Sequence, residues 1–488
     1  MKSRSVLLIN PWIYDFAAYD LWVKPLGLLY IDAVLRRNGY RTRLIDCLDR
    51  SHPDLLRLQG RHRPRMKRYG AGPFYKELTD KPEVYRHIRR RYGRYGITEE
   101  IFLKELKAAG RPDVVLVTSG MTYWYPGPLH VIRLVKAHFP GVPVVLGGIY
   151  ATLCPEHARG HSGADQVVEG EGEIRALECV DELTGRQTSF RPEPQDLDSY
   201  PWPCYDSYGR LDWLPLLTSR GCPYQCPYCA SHLLWGTFRQ RDPLKVWEEI
   251  EHAYRKMRVK TFVFYDDALL VRASEHLLPL LEAVIQGEVH CTFHTPNGLQ
   301  PRAIDREVAK MMFRSGFRTV RLSFETADEG RQAENGPKVT NADLMDAIDH
   351  LKAAGYQGKE LEVYVLAGLP GQSLEEMVES VMFVARLGAK ARLAFYSPIP
   401  GTGEWEKAVR LFGFDPEADP LLHNNSIHPF HPAPSPGEEP VEAVQQLSKV
   451  LNAAIDQGVN TLNGSVISRT FVKILKKWDS EVAGTSTP

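Results

Sequence analysis

No apolar run in these 488 residues approaches the roughly 18 that a membrane-spanning helix needs, so no membrane span is expected. Lys2 and Arg4 are followed only by Val6 to Ile9 before Asn10-Pro11, too short an apolar region for a secretory signal, so the expected location is the cytoplasm. Charge of one sign is missing as well. Lys plus Arg and Asp plus Glu both number 60, which gives no long-range field to select nucleic acid or a membrane surface. Nor is there a disulfide framework: of eight cysteines, Cys47, Cys154, Cys179, Cys204 and Cys291 stand alone and read as small buried hydrophobes. What remains is ordinary globular composition, 43% hydrophobic and 25% charged, long enough for about three domains.

The exception to the scattered cysteines is Gly221-Cys222-Pro223-Tyr224-Gln225-Cys226-Pro227-Tyr228-Cys229. Two prolines forbid a regular helix, and the C-x₃-C-x₂-C spacing describes a tight loop able to aim three thiolates at one point. A structural zinc site wants four ligands, usually two C-x₂-C pairs, and no second pair exists; a disulfide would strand one thiol and need an oxidising compartment. Three thiolates suit three corners of a [4Fe-4S] cluster, leaving the fourth iron open to a small molecule. With Thr218-Ser219-Arg220 before it and Tyr228 ahead of the last cysteine, the loop resembles the signature of the radical S-adenosylmethionine (SAM) superfamily. That resemblance implies that Cys222, Cys226 and Cys229 bind the cluster, that SAM chelates the open iron, and that electron transfer yields a 5′-deoxyadenosyl radical.

Ahead of the loop, residues 5 to about 175 read as a doubly wound unit: strands at Ser5 to Ile9, Thr42 to Ile45, Val114 to Val117, Val142 to Leu146 and Gln166 to Val168, with helices at Gly27 to Arg37, 98–109 and 129–138. Such alternation predicts a parallel sheet with ligands at the carboxyl ends of its strands. Thr118-Ser119-Gly120, Gly147-Gly148 and Glu169-Gly170-Glu171-Gly172-Glu173 occupy those ends, where glycine lets a ligand approach the backbone. Gly147-Gly148-Ile149-Tyr150-Ala151-Thr152 and Gly170-Glu171-Gly172-Glu173 resemble the cobalamin-binding domain of the B12-binding radical SAM subclass, which implies corrin contacts at Thr118, Ser119, Gly120, Gly147, Gly148, Gly170 and Glu171. An empty Rossmann-like packing domain is the other reading. The Asp-x-His-x-x-Gly loop of cobalamin domains is absent: Asn10-Pro11-Trp12-Ile13-Tyr14-Asp15-Phe16 offers no imidazole to cobalt. Tyr123, Trp124 and Tyr125 suit a corrin, a substrate or an interdomain contact equally. The insertion 50–97, with Arg61, Arg63, Arg65, Lys67, Arg68, Arg86, Arg89, Arg90, Arg91 and Arg94, suits phosphate groups or, more commonly, a solvated surface.

Prolines 192, 194, 201 and 203 mark 185–213 as a linker. From 214 strand and helix alternate again: strands at Leu214 to Thr218, Thr261 to Tyr265, His290 to His294, Thr319 to Phe324, Glu362 to Leu366 and Ala391 to Tyr396, with helices near 244–257, 275–285, 303–315, 341–354 and 374–387. Six such units predict a partial (β/α)6 TIM-type barrel with its chemistry at the strand ends. By resemblance, SAM would be held by Tyr228, Asp266, Asp267, Ser323, Glu325, Gly368, Pro370 and Gly371. Asp266-Asp267 departs from the family's Gly-Gly-Glu-like segment and could equally cap a helix.

The expected architecture is therefore α/β: a Rossmann-like cobalamin-binding-type domain (1–184), the linker, a radical SAM barrel (214–402) and a mainly helical C-terminal region (403–488). Its proline-rich stretch 413–440, with His423, His428 and His431, reads as an irregular cover over the barrel mouth whose histidine spacings match no closed metal set. Helical periodicity resumes over 441–477, and 484–488 reads as frayed. The resemblance implies radical-initiated, cobalamin-dependent methylation of a carbon in a small-molecule substrate. Methylcobalamin would deliver the methyl group, a second SAM would restore it, and a flavodoxin or ferredoxin would supply electrons. Rearrangement, cyclisation or coupling without that use of cobalamin is the first alternative, and a non-catalytic iron-sulfur sensor the second; a sensor needs the cysteines alone and leaves the strand-end residues unexplained.

Overall fold

The computed structural model describes residues 4–336, 338–412, 415, 417–427 and 438–458. Near-continuous apolar runs, as expected of strands buried on both faces, form the centre of the N-terminal sheet, and more polar, partly exposed strands form its two edges. These are β1 (Ser5–Asn10), β2 (Arg41–Asp46), β3 (Val114–Val117), β4 (Val144–Leu146) and β5 (Gln166–Val167), all parallel in the order β5-β4-β3-β1-β2. Helices α1 (Leu26–Arg37) and α4 (Gly172–Thr184) cover one face, α2 (Glu99–Ala109) and α3 (Pro126–His138) the other. Gly39, at φ 76°, lets the chain leave α1 for β2. Chain direction across the sheet reverses between β1 and β3, and their carboxyl ends diverge into a crevice there.

The insertion is not featureless. It contributes the helix Pro53–Leu58 and, with Ile13–Asp15, a small antiparallel sheet of Lys76–Leu78 and Gly93–Tyr95. Arg50 is buried against Asp20 at 2.7 Å and Arg94 is half-buried against Glu77 and Glu99, while Arg63, Arg65, Lys67, Arg68, Arg86, Arg89, Arg90 and Arg91 lie at the surface.

Strands β6 (Leu214–Leu216), β7 (Thr261–Phe264), β8 (Thr292–His294), β9 (Phe317–Glu325), β10 (Leu361–Ala367) and β11 (Lys390–Phe395) follow one another in space as in sequence, all parallel. Between them run α5 (Pro243–Lys256), α6 (Leu277–Gln286), α7 (Arg306–Ser315), α8 (Asn341–Ala354) and α9 (Leu374–Arg386). Alternation places Phe262, Phe264, Phe293, Phe317 and Phe324 beneath the helices, and α5 answers with Val246, Ile250 and Ala253 at helical spacing; Tyr254 and Met257 are only half-buried. Side chains of Asp242, Asp305, Thr340 and Ser373 cap α5, α7, α8 and α9.

The linker region is packed rather than loose. Tyr205 OH donates to Glu249 at 2.7 Å and Tyr208 OH to Asp46 at 2.6 Å, so one apolar core runs from the first sheet into the barrel. Helix α10 (Glu438–Asp456) covers the edge strand β11, where Asn452 both donates to Ala391 O (2.8 Å) and accepts from Ala391 N (3.0 Å). The expected helix beyond 458, the frayed 484–488 and His428 and His431 fall outside the described residues. Residues 417–427 strap the two sheets together rather than only covering the barrel. Ser397, past β11, donates to His423 O, while His423 Nδ1 lies 3.0 Å from Thr122 Oγ1 and Asn424 donates to Asp15 at 3.1 Å.

Candidate functional site

The cysteine loop leaves the barrel just past β6. Ser219-Arg220 pairs antiparallel with Arg239-Gln240, closing 221–238 into an excursion whose base is a two-residue bridge. Gly221, at φ 79°, starts the turn, and Cys229 N bonds Cys226 O at 3.0 Å. All three thiols are free; Cys226 is buried and the other two half-buried, and Ser231 N donates to Cys229 Sγ at 3.4 Å. Burial pushes the Cys229 thiol up to about 11 and raises Cys222 as well, with the Cys226 charge adding to both. Thiolates here at neutral pH need a positive partner. The three free cysteines of this loop are the residues that would hold an iron-sulfur cluster.

Around that loop the structure gathers several residues anticipated for SAM. Tyr228, Glu325 and Lys338 wall a small cavity beside Cys226, with Gln332 and Asn335. Glu325 ends β9 at φ 72°, a left-handed conformation that costs a non-glycine residue about 1–3 kcal/mol and that clusters at functional sites. Its carboxylate accepts from Lys338 Nζ at 3.2 Å. Burial opposes the Lys338 charge, but Glu325 and the thiols of Cys226 and Cys222 more than offset it, holding the ammonium above its ordinary range. Tyr228 also packs on the cluster of Leu369 and Tyr396, bringing it beside Gly368, Pro370 and Gly371. There Gln372 Oε1 accepts from Gly368 N at 2.8 Å, and Gly371, at φ 74°, faces open space.

Other anticipated residues are already engaged. Asp266 is buried and accepts from Thr218 N, Thr218 Oγ1 and Ser219 Oγ, the last two at 2.6 Å; it ties the end of β7 to the approach of the cysteine loop. Burial pushes its carboxyl up to about 6 against those bonds. Ser323 lies against the Pro296–Gly298 turn, where a Cβ on Gly298 would meet its Oγ at 2.1 Å. Asp267 remains half-buried near Cys222 and Cys229, bonded by Ser231 Oγ.

On the first sheet, Thr118, Ser119, Gly120, Gly147, Gly148, Gly170 and Glu171 all line one cavity of about 470 Å³. It opens at the β1–β3 crevice and is closed from the barrel side by Leu217, Arg220, Trp235 and Tyr265. The described residues lining it include no histidine. Its walls are largely aliphatic and aromatic with small residues at the strand ends, a surface that can receive a flat macrocycle edge-on to backbone. The glycines serve different ends. Gly170, at φ 74°, has nothing within 4 Å of a Cβ and borders open space; Gly148, at φ 95°, would drive a Cβ to 2.4 Å from Ser119 O, so its need is internal. Of the three aromatics, Trp124 faces the cavity and donates to Asp15 at 2.9 Å, whereas Tyr123 and Tyr125 turn to Asn425 and Asp419 of the strap.

His423 is buried, edge-on to Trp405, and burial lowers its pKa to about 4. Lys338 and Arg239 belong to no motif of the sequence. Arg220 and Glu173 stand in the flank of the cysteine loop and in the Gly170–Glu173 strand end, but nothing local shows that they meet.

Comparison with known proteins agrees with this geometry. Residues 216–384 match the radical SAM superfamily and residues 94–180 the B12 binding domain. Cytidylyl-2-hydroxyethylphosphonate methyltransferase of Streptomyces wedmorensis is 24% identical over 93% of this chain and 91% of its own. Anaerobic magnesium-protoporphyrin IX monomethyl ester cyclase of Rubrivivax gelatinosus is 23% identical over 62% of this chain and 60% of its own. The structure of the radical SAM methyltransferase TsrM from Kitasatospora setae, with cobalamin and a [4Fe-4S] cluster bound, superposes with a TM-score of 0.63 at 16% identity over 98% of this chain and all of that one (100%).

Proposed function

We propose, for a chain that joins a radical SAM domain to a B12-binding domain, that it is a cobalamin-dependent radical SAM methyltransferase acting on a carbon centre of a small molecule. The observation that carries this reading is the cavity at the β1–β3 crevice whose barrel-side wall includes Arg220, two residues before Cys222, so that the two cofactor sites adjoin. When bound, cluster and SAM supply a carbon radical and the corrin a methyl group. The chain's own part is positional. Cys222, Cys226 and Cys229 hold the cluster; Tyr228, Asp267, Glu325 and the Gly368–Gly371 bend hold SAM, with Lys338 keeping Glu325 in place. Asp266 acts through Thr218 and Ser219 to fix the loop's approach. The strand-end residues Thr118 to Gly120, Gly147, Gly148 and Gly170 seat the corrin, and residues 1–184 and 214–402 divide the two tasks. Electrons come from a separate low-potential carrier such as a flavodoxin or ferredoxin. All eight cysteines are free, which suits the reducing cytoplasm.

The cyclase relative favours one second reading, radical cyclisation with the same core. Anaerobic reconstitution with iron, sulfide and hydroxocobalamin, followed by SAM and a strong reductant, tests the proposal. Deoxyadenosine must form and a corrin spectrum must co-purify at one equivalent. A corrin-free protein that turns over its substrate removes methylation by this route, and absence of deoxyadenosine leaves a sensor.

A further inference from the structure

The excursion that carries the three cysteines is anchored at its base to the first domain by a group of four charges, three of them buried and Glu171 half-buried. Arg220 and Arg239 stand directly opposite each other in the two-residue antiparallel bridge, an arrangement in which like charges repel. Glu171 relieves it by lying between them: Arg220 Nη1 reaches its Oε2 at 2.9 Å and Arg239 Nη2 bonds its Oε1. Arg220 Nη2 goes on to Glu173, and the guanidinium lies 5.2 Å from the ring centres of both Tyr30 and Tyr200. Arg220 and Glu173 are each 4% exposed. Both carboxylates belong to the Gly170–Glu173 turn that walls the 470 Å³ cavity, and the Nε of Arg220, without a hydrogen-bond partner, sits in the same wall. Two positive and two negative charges balance there, three of the four groups buried and Glu171 half-buried, and in some proteins such groups specify register rather than add stability.

We propose that Arg220, with Glu171, Glu173 and Arg239, is a positioning device that sets the distance between the corrin cavity and the iron-sulfur loop. The inference rests on the two-cofactor reading above. The linker and the strap join the domains elsewhere; this cluster binds the cavity wall at Glu171 and Glu173 to the base of the cysteine excursion, so its geometry passes from one cofactor site to the other. A lysine at 220 keeps the charge and loses the fork that reaches Glu171 and Glu173 together.

The test is pulsed dipolar EPR between the reduced cluster and cob(II)alamin in full-length protein loaded with both, for wild type, Arg220→Lys and Arg239→Lys, alongside cofactor stoichiometry and the thermal midpoint. The expected result is one narrow distance in wild type and a distribution at least twofold wider in Arg220→Lys at unchanged iron and cobalt content. Should Arg220→Lys not fold, Arg239→Lys, which keeps both bonds of Arg220 and loses the fork that reaches Glu171, carries the same expectation. Equal widths in the loaded wild type and variants overturn the inference while leaving the function intact. A wild type that takes up no cobalamin overturns both.

Discussion

The two α/β halves of this chain share one alternation of strand and helix and build their sites in opposite ways. In the barrel half the decisive ligands lie within eight consecutive residues, Cys222 to Cys229, on a loop that local turns and prolines shape by themselves. In the N-terminal half the cavity is assembled from strand ends spread between Asn10 and Gly170, with Thr118 and Gly147 between them, largely through backbone and small side chains. A local site fails when one side chain is lost. A distributed site fails when the backbone moves.

The largest effect that would break this contrast is at Cys226. Cys226→Ala should abolish both the cluster's absorbance and SAM cleavage while leaving corrin binding in place; retention of either cluster property contradicts its role. Gly148→Val tests the other half. With φ at 95° and Ser119 O already 2.4 Å from any Cβ, the change should destabilise the first domain by about 3 kcal/mol and remove corrin binding, with the cluster still loading. Urea unfolding and cofactor stoichiometry decide it, and undiminished corrin binding would mean the Ser119–Gly148 approach is not what shapes the cavity.

Acid should expose a third difference. His276, bonded to Thr218, and His294, under Trp22 and Tyr69, are buried in the barrel and lowered to about 4 and about 3 by burial; His423 in the strap is lowered to about 4. A histidine lowered on folding stabilises the native state above its unfolded pKa near 6.5 and loses that contribution as pH falls toward the folded value. Asp266, raised to about 6, acts in the opposite sense between about pH 4 and 6, favouring the native state as it protonates. Three groups against one predict lower stability at pH 5 than at pH 7, by at least about 1 kcal/mol. Denaturant titrations at the two pH values that gave equal or higher stability at pH 5 would show these histidines to be hydrated. The smallest effect is expected at the edge of the barrel: Asn452→Ala removes two hydrogen bonds to Ala391 and should cost about 1 kcal/mol in urea without altering either cofactor. Loss of cluster from that variant would mean that α10 also shapes the site.

Much of this was legible in the chain itself. Val114 to Val117 and Phe262 to Phe264 read as buried strands because apolar runs bounded by turns have few other uses, and the cysteine spacing named its chemistry because its geometry is local. The seven strand-end residues of the first sheet were found by rule, since ligands gather at such ends. Side-chain partners were not. Asp266 was expected to face a ligand and is instead bonded by Thr218 and Ser219, because only the packed sheet shows which oxygens are already taken. The insertion's charges likewise gave no hint that Arg50 would be buried and Arg94 half-buried in ion pairs while their neighbours stayed in water.

By itself, then, the order of residues determined the two sets of alternating strands and helices, the strand ends of the first sheet and the three sulfurs, since periodicity, turn chemistry and ligand spacing all act over a few residues. Only the tertiary structure decided that Arg220 and Arg239 would close on Glu171 and Glu173, 47 positions from Arg220 in the case of Glu173. Long-range ion pairs depend on which buried charges are left facing each other after the cores have formed, and that is a property of the packed chain.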